Sequence, residues 1–337
     1  MRHKQKRKKI KLPLFCGNQG QKQVGSIKPI FYLAQHTSIP LMSGKEFFVN
    51  RYQKLGWIYK QVRPKQAIRI NTTNASRDDV VNRLQSLGIA LEKIPFLEDG
   101  YWICKSKFSV GATAEYLLGL YSVQEAAAQI PATLFTELED KTVLDACASP
   151  GGKTVQLADI MNNSGVIVAL ELKKRKMFAL ANQLERSRVT NTAVYQMDAR
   201  EASKMNLKFD CVLLDVPCSG NHVTDKGWFN KRSIEDVEKN ARRQRQILAE
   251  AVNVTKEWGE LVYATCSLEP EENELNIDWA IANLNVEVEE INCHGEKGLT
   301  NVFGRELDRS IEKCRRIWPR QTQGFFVCKL RKQAGGQ

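Results

Sequence analysis

Phe209-Asp-Cys-Val-Leu-Leu-Asp-Val-Pro-Cys-Ser-Gly220 is a short apolar run, rich in strand-forming residues, that stops at Asp215 and turns through Pro217 into Cys218-Ser219-Gly220. Such a run predicts a buried strand that surfaces at a carboxylate and a thiol. In open α/β sheets the chemistry gathers where strands surface in this way. A companion follows about fifty residues later, Gly259-Glu-Leu-Val-Tyr-Ala-Thr-Cys-Ser267, a second apolar strand ending in Cys266. Two strand-end thiols beside one carboxylate point to nucleophilic chemistry.

Upstream, the chain alternates in the same way. Thr142-Val-Leu-Asp-Ala-Cys-Ala-Ser-Pro-Gly-Gly-Lys-Thr-Val-Gln-Leu157 reads as a strand, a glycine turn and the opening of a helix. A phosphate-cradling loop needs a glycine where Cys147 stands, and Gly151 and Gly152 are adjacent rather than spaced, so neither nucleotide motif is met. The turn remains suited to a smaller, cationic cofactor approached by backbone N–H groups. Gly165 to Glu171 predicts a second strand with an acidic end, Lys173 to Ser187 a helix, and Thr192 to Asp198 a third strand with an acidic end. Glu171, Asp198 and Asp215 thus close three successive strands. They suit a ligand with a ribose, an amino group and a positive centre, as S-adenosyl-L-methionine has. Ser233 to Trp258 predicts a long helix carrying Arg242, Arg243 and Arg245, and Glu269-Pro-Glu-Glu-Asn-Glu274 places acids where the next helix dipole favours them. Val286 to Ile291 and Gly324 to Leu330 supply closing strands.

The first 110 residues differ. Residues 2–11 hold seven Lys or Arg of the net +12, leaving +5 over the remainder, and residues 1–25 are expected to be a flexible basic tail attracted to phosphates. Residues 26–110 are expected to form a small α/β RNA-binding module. Within it a helix is predicted near Phe47 to Tyr59, a strand after Pro64, a helix at Asp78 to Leu87, and strands at Ile89 to Ile94 and Tyr101 to Cys104. Arg63, Lys65, Arg69, Lys105 and Lys107 are its candidate RNA face. Residues 111–135 read as small and aromatic, then helical, and lead into the domain expected over 111–337.

Nine cysteines with no C-x-x-C pair and no His cluster indicate no metal site and fit a reducing cytoplasm. Cys104, Cys147, Cys211 and Cys328 read as small buried hydrophobes. Nothing in the sequence is long and apolar enough to span a membrane. A soluble, cytoplasmic monomer is expected.

Asp145 to Thr154, Asp215 to Gly220, Thr265-Cys-Ser267 with Pro270 and Glu271-Glu-Asn-Glu274, and the terminal Gly324-Phe-Phe326 resemble the motifs of the NOL1/NOP2/Sun (RsmB/NOP) family of RNA 5-methylcytosine methyltransferases. Gly111 to Gly119 and Gln124-Glu125-Ala126 resemble the opening segment of its archaeal-type tRNA branch. Ser149, Val216, Asn221-His222 and Gln323 depart from the family pattern. The resemblance implies a doubly wound, Rossmann-like, S-adenosylmethionine-dependent methyltransferase domain acting on RNA, with tRNA favoured and ribosomal RNA the alternative. It implies Cys266 as the attacking thiol, Cys218 as the thiol assisting release, and Asp215 as the group that hydrogen-bonds the ring, supported by Lys153. The same resemblance has Cys147, Ala148, Ser149, Pro150, Gly151, Gly152 and Lys153 wrap the methionine part of the cofactor, with Asp215 beside it. Glu171 would take the ribose hydroxyls and Asp198 the adenine.

Overall fold

The computed structural model describes residues 43–335. The basic tail and residues 26–42 lie outside the described residues. Helix α1 (Gly44–Lys54) comes first, then strand β1 (Ala67–Ile70), helix α2 (Arg77–Ser86), and strands β2 (Ala90–Lys93) and β3 (Gly100–Lys105). After a one-turn helix α3 (Ala114–Leu117) comes β4 (Tyr121–Val123). Ser76 caps α2 by accepting from Asp79 N, and Val80 and Leu84 on its apolar face pack against Ile68, Ile70 and Tyr121.

The small sheet has the order β2-β3-β1-β4, all antiparallel. It therefore runs across the boundary expected between residues 110 and 111. Tyr121 to Val123, read as part of a helical stretch, pairs with Ile68 to Ile70 instead. A three-residue strand has too few residues to show a period of two, so the pairing is invisible in the sequence. Arg69 also departs from expectation. It is 2% exposed, and its Nη1 donates to Asp159 Oδ2 at 2.7 Å. That ion pair joins the small sheet to the domain that holds the large sheet, so Arg69 is not part of an RNA face. Arg63, Lys105 and Lys107 are exposed.

The larger domain begins with β5 (Thr142–Asp145), α4 (Gly152–Ile160), β6 (Val166–Glu171), α5 (Lys174–Arg186), β7 (Thr192–Gln196) and β8 (Phe209–Asp215). It continues with a short α6 (Trp228–Lys231), α7 (Ile234–Val254), β9 (Thr255–Thr265), α8 (Glu274–Asn283) and β10 (Val286–Glu289). The last strands are β11 (Glu296–Lys297), a separate hairpin of β12 (Asn301–Val302) and β13 (Arg305–Glu306), then β14 (Arg315–Ile317) and β15 (Phe325–Lys332). Helix α7 stops four residues short of the expected Trp258. Thr255 already pairs with Phe209, so the chain passes directly from helix to strand.

Nine strands form one sheet in the order β11-β14-β15-β9-β8-β5-β6-β7, with β10 on β15. Strands β5 to β9 are parallel and β15 is antiparallel to β9. The chain runs outward from β5 through β6 to β7 and returns to place β8 on the other side of β5. The order reverses between β5 and β8, which opens a crevice at the carboxyl ends of those two strands. Both faces of the sheet are buried, one against Ile247, Leu248, Ala251 and Ile277 of α7 and α8, the other against Leu157, Ala158 and Met161 beside α4. This is why Cys211 to Leu214 of β8 reads as an unbroken apolar run.

Candidate active site

A cavity of about 350 Å³ occupies that crevice. Its walls come from the ends of five strands. Cys147 and Ser149 follow β5, Glu171 ends β6, Asp198 follows β7, Asp215 ends β8 with Pro217 and Cys218 after it, and Cys266 follows β9. All these residues except Pro217 were candidates on sequence, and the fold gathers them into one space. Ala148, Pro150, Gly151, Gly152 and Lys153 are not among the lining residues. They form the turn behind Cys147, where Gly151 adopts φ +109° and an added Cβ would lie 3.0 Å from Leu180 Cδ1. A side chain there meets both backbone strain and crowding, which is the physical need for glycine. Lys153 acts on the cavity through Asp215, donating from Nζ to Oδ2 at 2.6 Å.

The two thiols meet. Cys218 Sγ and Cys266 Sγ are 3.2 Å apart. Contact with Cys266, together with burial, holds the Cys218 thiol well above the usual thiol range. Cys147 lines the cavity rather than lying in the core, and burial pushes its thiol up as well. Cys104 is exposed, while Cys211 and Cys328 are buried as expected. All eight described cysteines are free.

The acids are held in distinct ways. Glu171 is 8% exposed and accepts from Lys173 N at 2.7 Å through one oxygen. Asp198 caps the turn that follows, accepting from Arg200 N at 3.0 Å and from the Arg200 guanidinium. Its hydrogen bonds to Arg200 hold its carboxyl below the usual carboxylate range.

Three features were not legible as site residues. The first is the run Glu269-Pro-Glu-Glu-Asn-Glu274, read as acids at a helix dipole. Glu269, Glu272, Asn273 and Glu274 are fully buried and brace the thiol loops. Ser219 donates to Glu272 from its N at 2.9 Å and from its hydroxyl at 2.6 Å, and Gln244 Nε2 donates to Glu272 at 3.1 Å and to Pro217 O at 3.0 Å. On the other loop, Thr265 Oγ1 donates to Asn273 Oδ1 at 2.6 Å, and Asn273 Nδ2 donates to Ser267 O at 3.0 Å. Glu274 takes the buried Arg316 guanidinium. The second feature is Asn221, a departure from the family pattern, whose Nδ2 donates to Cys266 O at 2.7 Å and to Gly324 O at 3.3 Å. The third is Arg243. It lines the cavity, and its Nε is buried without a partner among the described residues. Of three arginines close together on α7, only helix phase decides which one faces inward.

The described residues contain no cluster of metal-ligating side chains and no helix long and apolar enough to cross a membrane.

Comparison with known proteins places this geometry. The sequence profile described as 16S rRNA methyltransferase RsmB/F matches residues 132–331, and that of the N-terminal domain of 16S rRNA methyltransferase RsmF matches 43–126. A mouse (Mus musculus) protein named 28S rRNA (cytosine-C(5))-methyltransferase is 34% identical over 79% of this chain and 35% of its own length. Ribosomal RNA small subunit methyltransferase F of Aeromonas salmonicida is 34% identical over 80% of this chain and 58% of its own. The chain thus spans about a third to somewhat over half of these curated relatives. A crystal structure of a methyltransferase homologue from Pyrococcus horikoshii superposes with a TM-score of 0.75 at 32% identity, covering 86% of this chain and 99% of that one. With the profile matching more than half of its length, the chain belongs to the RsmB/F methyltransferase family, as its likeness to the NOL1/NOP2/Sun motifs implied.

Proposed function

We propose that this chain is an S-adenosylmethionine-dependent RNA (cytosine-5)-methyltransferase. The observation that carries the reading is the pair of thiols 3.2 Å apart at the end of a cavity whose other walls hold Glu171, Asp198 and Asp215. The cavity fits the cofactor by size and by donor set. About 350 Å³ lies within the range of small-molecule sites. Glu171, with one oxygen unpartnered among the described residues, suits the ribose hydroxyls, Asp198 the adenine, and the Cys147 to Lys153 turn the methionine part. When bound, S-adenosylmethionine supplies an electrophilic methyl group.

Carbon 5 of cytosine is a poor nucleophile until carbon 6 carries an added group. Cys266, as thiolate, forms the S–C6 bond, and the electron pair of the C5–C6 double bond moves toward carbon 5 and the ring. Asp215, fixed by Lys153, accepts from the amino group of the ring and orients it, and the Lys153 ammonium beside it supplies the positive charge that offsets the developing negative charge. After methylation carbon 5 still bears its proton. Once Cys266 is a thioether, Cys218 gives up its own proton to water and, as thiolate, takes the proton from carbon 5. Loss of the C5 proton restores the double bond and expels the Cys266 thiolate. The base reaches this site only if it leaves its stack.

The relatives named for ribosomal RNA make that RNA the first substrate to test, and the tRNA expected from the Gly111 to Ala126 segment the second. The free thiols support a reducing cytoplasm, and we propose a monomer there. Unmodified RNA, labelled cofactor and a denaturing gel provide the test. Cys266→Ala is expected to abolish methylation without trapping RNA, and Cys218→Ala to accumulate a covalent protein–RNA adduct. An adduct from the Cys266 variant reverses the two roles. No methyl transfer by the wild type to either RNA class overturns the reading in favour of a non-catalytic RNA-binding factor.

A further inference from the structure

A second cavity, of about 370 Å³, lies between the small sheet and the catalytic sheet. Its floor is apolar and buried, with Trp102 4%, Ile317 2% and Trp318 6% exposed. Phe96, His294 and Arg320 stand at its more exposed rim. The floor is not merely core. Trp102 lines the groove, and its indole N–H is buried and takes no acceptor among the described residues. An unmade buried hydrogen bond is costly, and an acceptor entering the groove would satisfy it. Flat aromatic surfaces and positive charge surround this donor. Phe96 and His294 stack at 4.1 Å and 11°, and the Lys65 ammonium lies 4.7 Å from the Trp102 ring centroid. Arg320 is paired only with Glu296, at 3.3 Å, and both are exposed.

The groove opens at the same edge of the sheet as the thiols. The loop from Trp318 to Gly324 joins β14 to β15 where Ile317 pairs with Phe325, and the next residue, Phe326, pairs with Thr265 beside Cys266. Strand β14 is two positions from β9, so the backbone of Ile317 in the groove floor lies about 10 Å from the β9 backbone beside Cys266 at a strand spacing of ~4.8 Å. Asn221 bridges the two places by donating to both Cys266 O and Gly324 O.

We propose that this groove holds an unpaired nucleobase of the RNA, one to three nucleotides from the target cytosine, stacked on the aromatic rim and accepting from the Trp102 indole N–H. The proposal rests on the RNA methyltransferase reading above. A nucleobase is flat, has ring acceptors and is tethered to phosphates, and single-stranded RNA is recognised by stacking splayed bases on aromatic side chains beside cations. Once the target base has been drawn out of its stack, a flanking base is the chemical group within reach. The groove would fix which cytosine enters the cavity, and it takes no part in the bond changes there.

The test uses the full chain and an in vitro transcript of the RNA that the wild type methylates, with one abasic residue placed in turn at each of the three positions on either side of the target. His294→Ala and Phe96→Ala each remove one half of the stacked rim pair; Phe96 also packs edge-on against Trp102, a contact that His294→Ala leaves untouched. Each is expected to raise KM for the intact RNA about tenfold, with kcat and cofactor Kd unchanged. One abasic position is expected to raise the wild-type KM by a similar factor and to add nothing further in the variants, because both remove the same contact. Independent, multiplicative effects at every position, or an unchanged KM in both variants, overturn the groove while leaving the methyltransferase reading intact. A raised KM insensitive to every abasic position also overturns it and assigns the groove to another part of the substrate or to a protein segment. Absence of methyl transfer to any RNA by the wild type removes the reading on which the proposal rests.

Discussion

Replacing Glu272 with alanine removes a carboxylate that lies outside the cavity yet sets the position of one of its thiols. Glu272 is fully buried and accepts three hydrogen bonds, two from Ser219 and one from Gln244. In Glu272→Ala the Ser219 hydroxyl still has Ser267 Oγ at 3.1 Å, and Gln244 still has Pro217 O. The Ser219 N–H has no other partner, and a stranded buried donor costs about 1–3 kcal/mol. The lost side-chain volume adds about 1 kcal/mol. A total near 3 kcal/mol is therefore expected in urea unfolding, with Glu272→Gln, which keeps one acceptor, costing about half as much. The functional effect follows from the next residue. Ser219 adjoins Cys218, so loosening its amide widens the gap to Cys266, and kcat is expected to fall ~10–100-fold with adduct accumulating, as about 2 kcal/mol of lost positioning implies. Cofactor affinity, measured by calorimetry with S-adenosylhomocysteine, is expected to stay the same, since Glu272 does not line the cofactor cavity. Wild-type kcat in a measurably destabilised Glu272→Ala would refute the reasoning by showing that the brace supports folding alone.

Other perturbations test the frame around the site. Asp159 accepts from Arg69 and also from Thr72 N at 3.1 Å and Thr73 N at 2.7 Å, so Arg69→Met leaves it well supplied. Asp159→Ala strands the buried guanidinium and is expected to approach the ~3–5 kcal/mol typical of a broken buried pair, with Arg69→Met costing clearly less and Arg69→Met/Asp159→Leu recovering much of the loss in urea unfolding. Equal costs for the two single variants would show that the threonine amides do not hold Asp159. Burial pushes the Asp145 carboxyl up to about 6 from 3.8, despite the Thr154 hydroxyl it accepts. The folded chain therefore binds more protons than the unfolded chain between those pH values, and stability falls as pH rises through that window by about 3 kcal/mol at most. Asp145→Asn is expected to flatten this slope, though Glu269 and Glu272, also pushed up by burial, keep part of it; an unchanged slope would count against the assignment. Glu171→Ala should weaken S-adenosylhomocysteine binding at least tenfold in calorimetry while RNA affinity holds, and unchanged cofactor binding would remove Glu171 from the ribose site.

The order of strands and the residues at their ends were legible in the sequence because they depend on short-range pattern. A parallel strand buried on both faces must be apolar along its buried length, so Cys211 to Leu214 announces itself, and the first polar residue after it marks the surface where Asp215 emerges. The same logic located Glu171, Asp198, Cys218 and Cys266, and the adjacent glycines marked the turn before α4. Pairing between distant segments was not legible. Tyr121 to Val123 is a strand only because Ile68 to Ile70 lies beside it, and α7 ends at Val254 only because Thr255 meets Phe209. The tertiary structure likewise decided the role of each charge. Arg69, Glu269, Glu272 and Glu274 have the composition of a solvated surface, but each is buried because a partner far away in the chain, Asp159, Arg51, Ser219 or Arg316, satisfies it. The free energy of burying a charge is set by the partners that converge on it, and one-dimensional sequence carries no record of which distant groups converge.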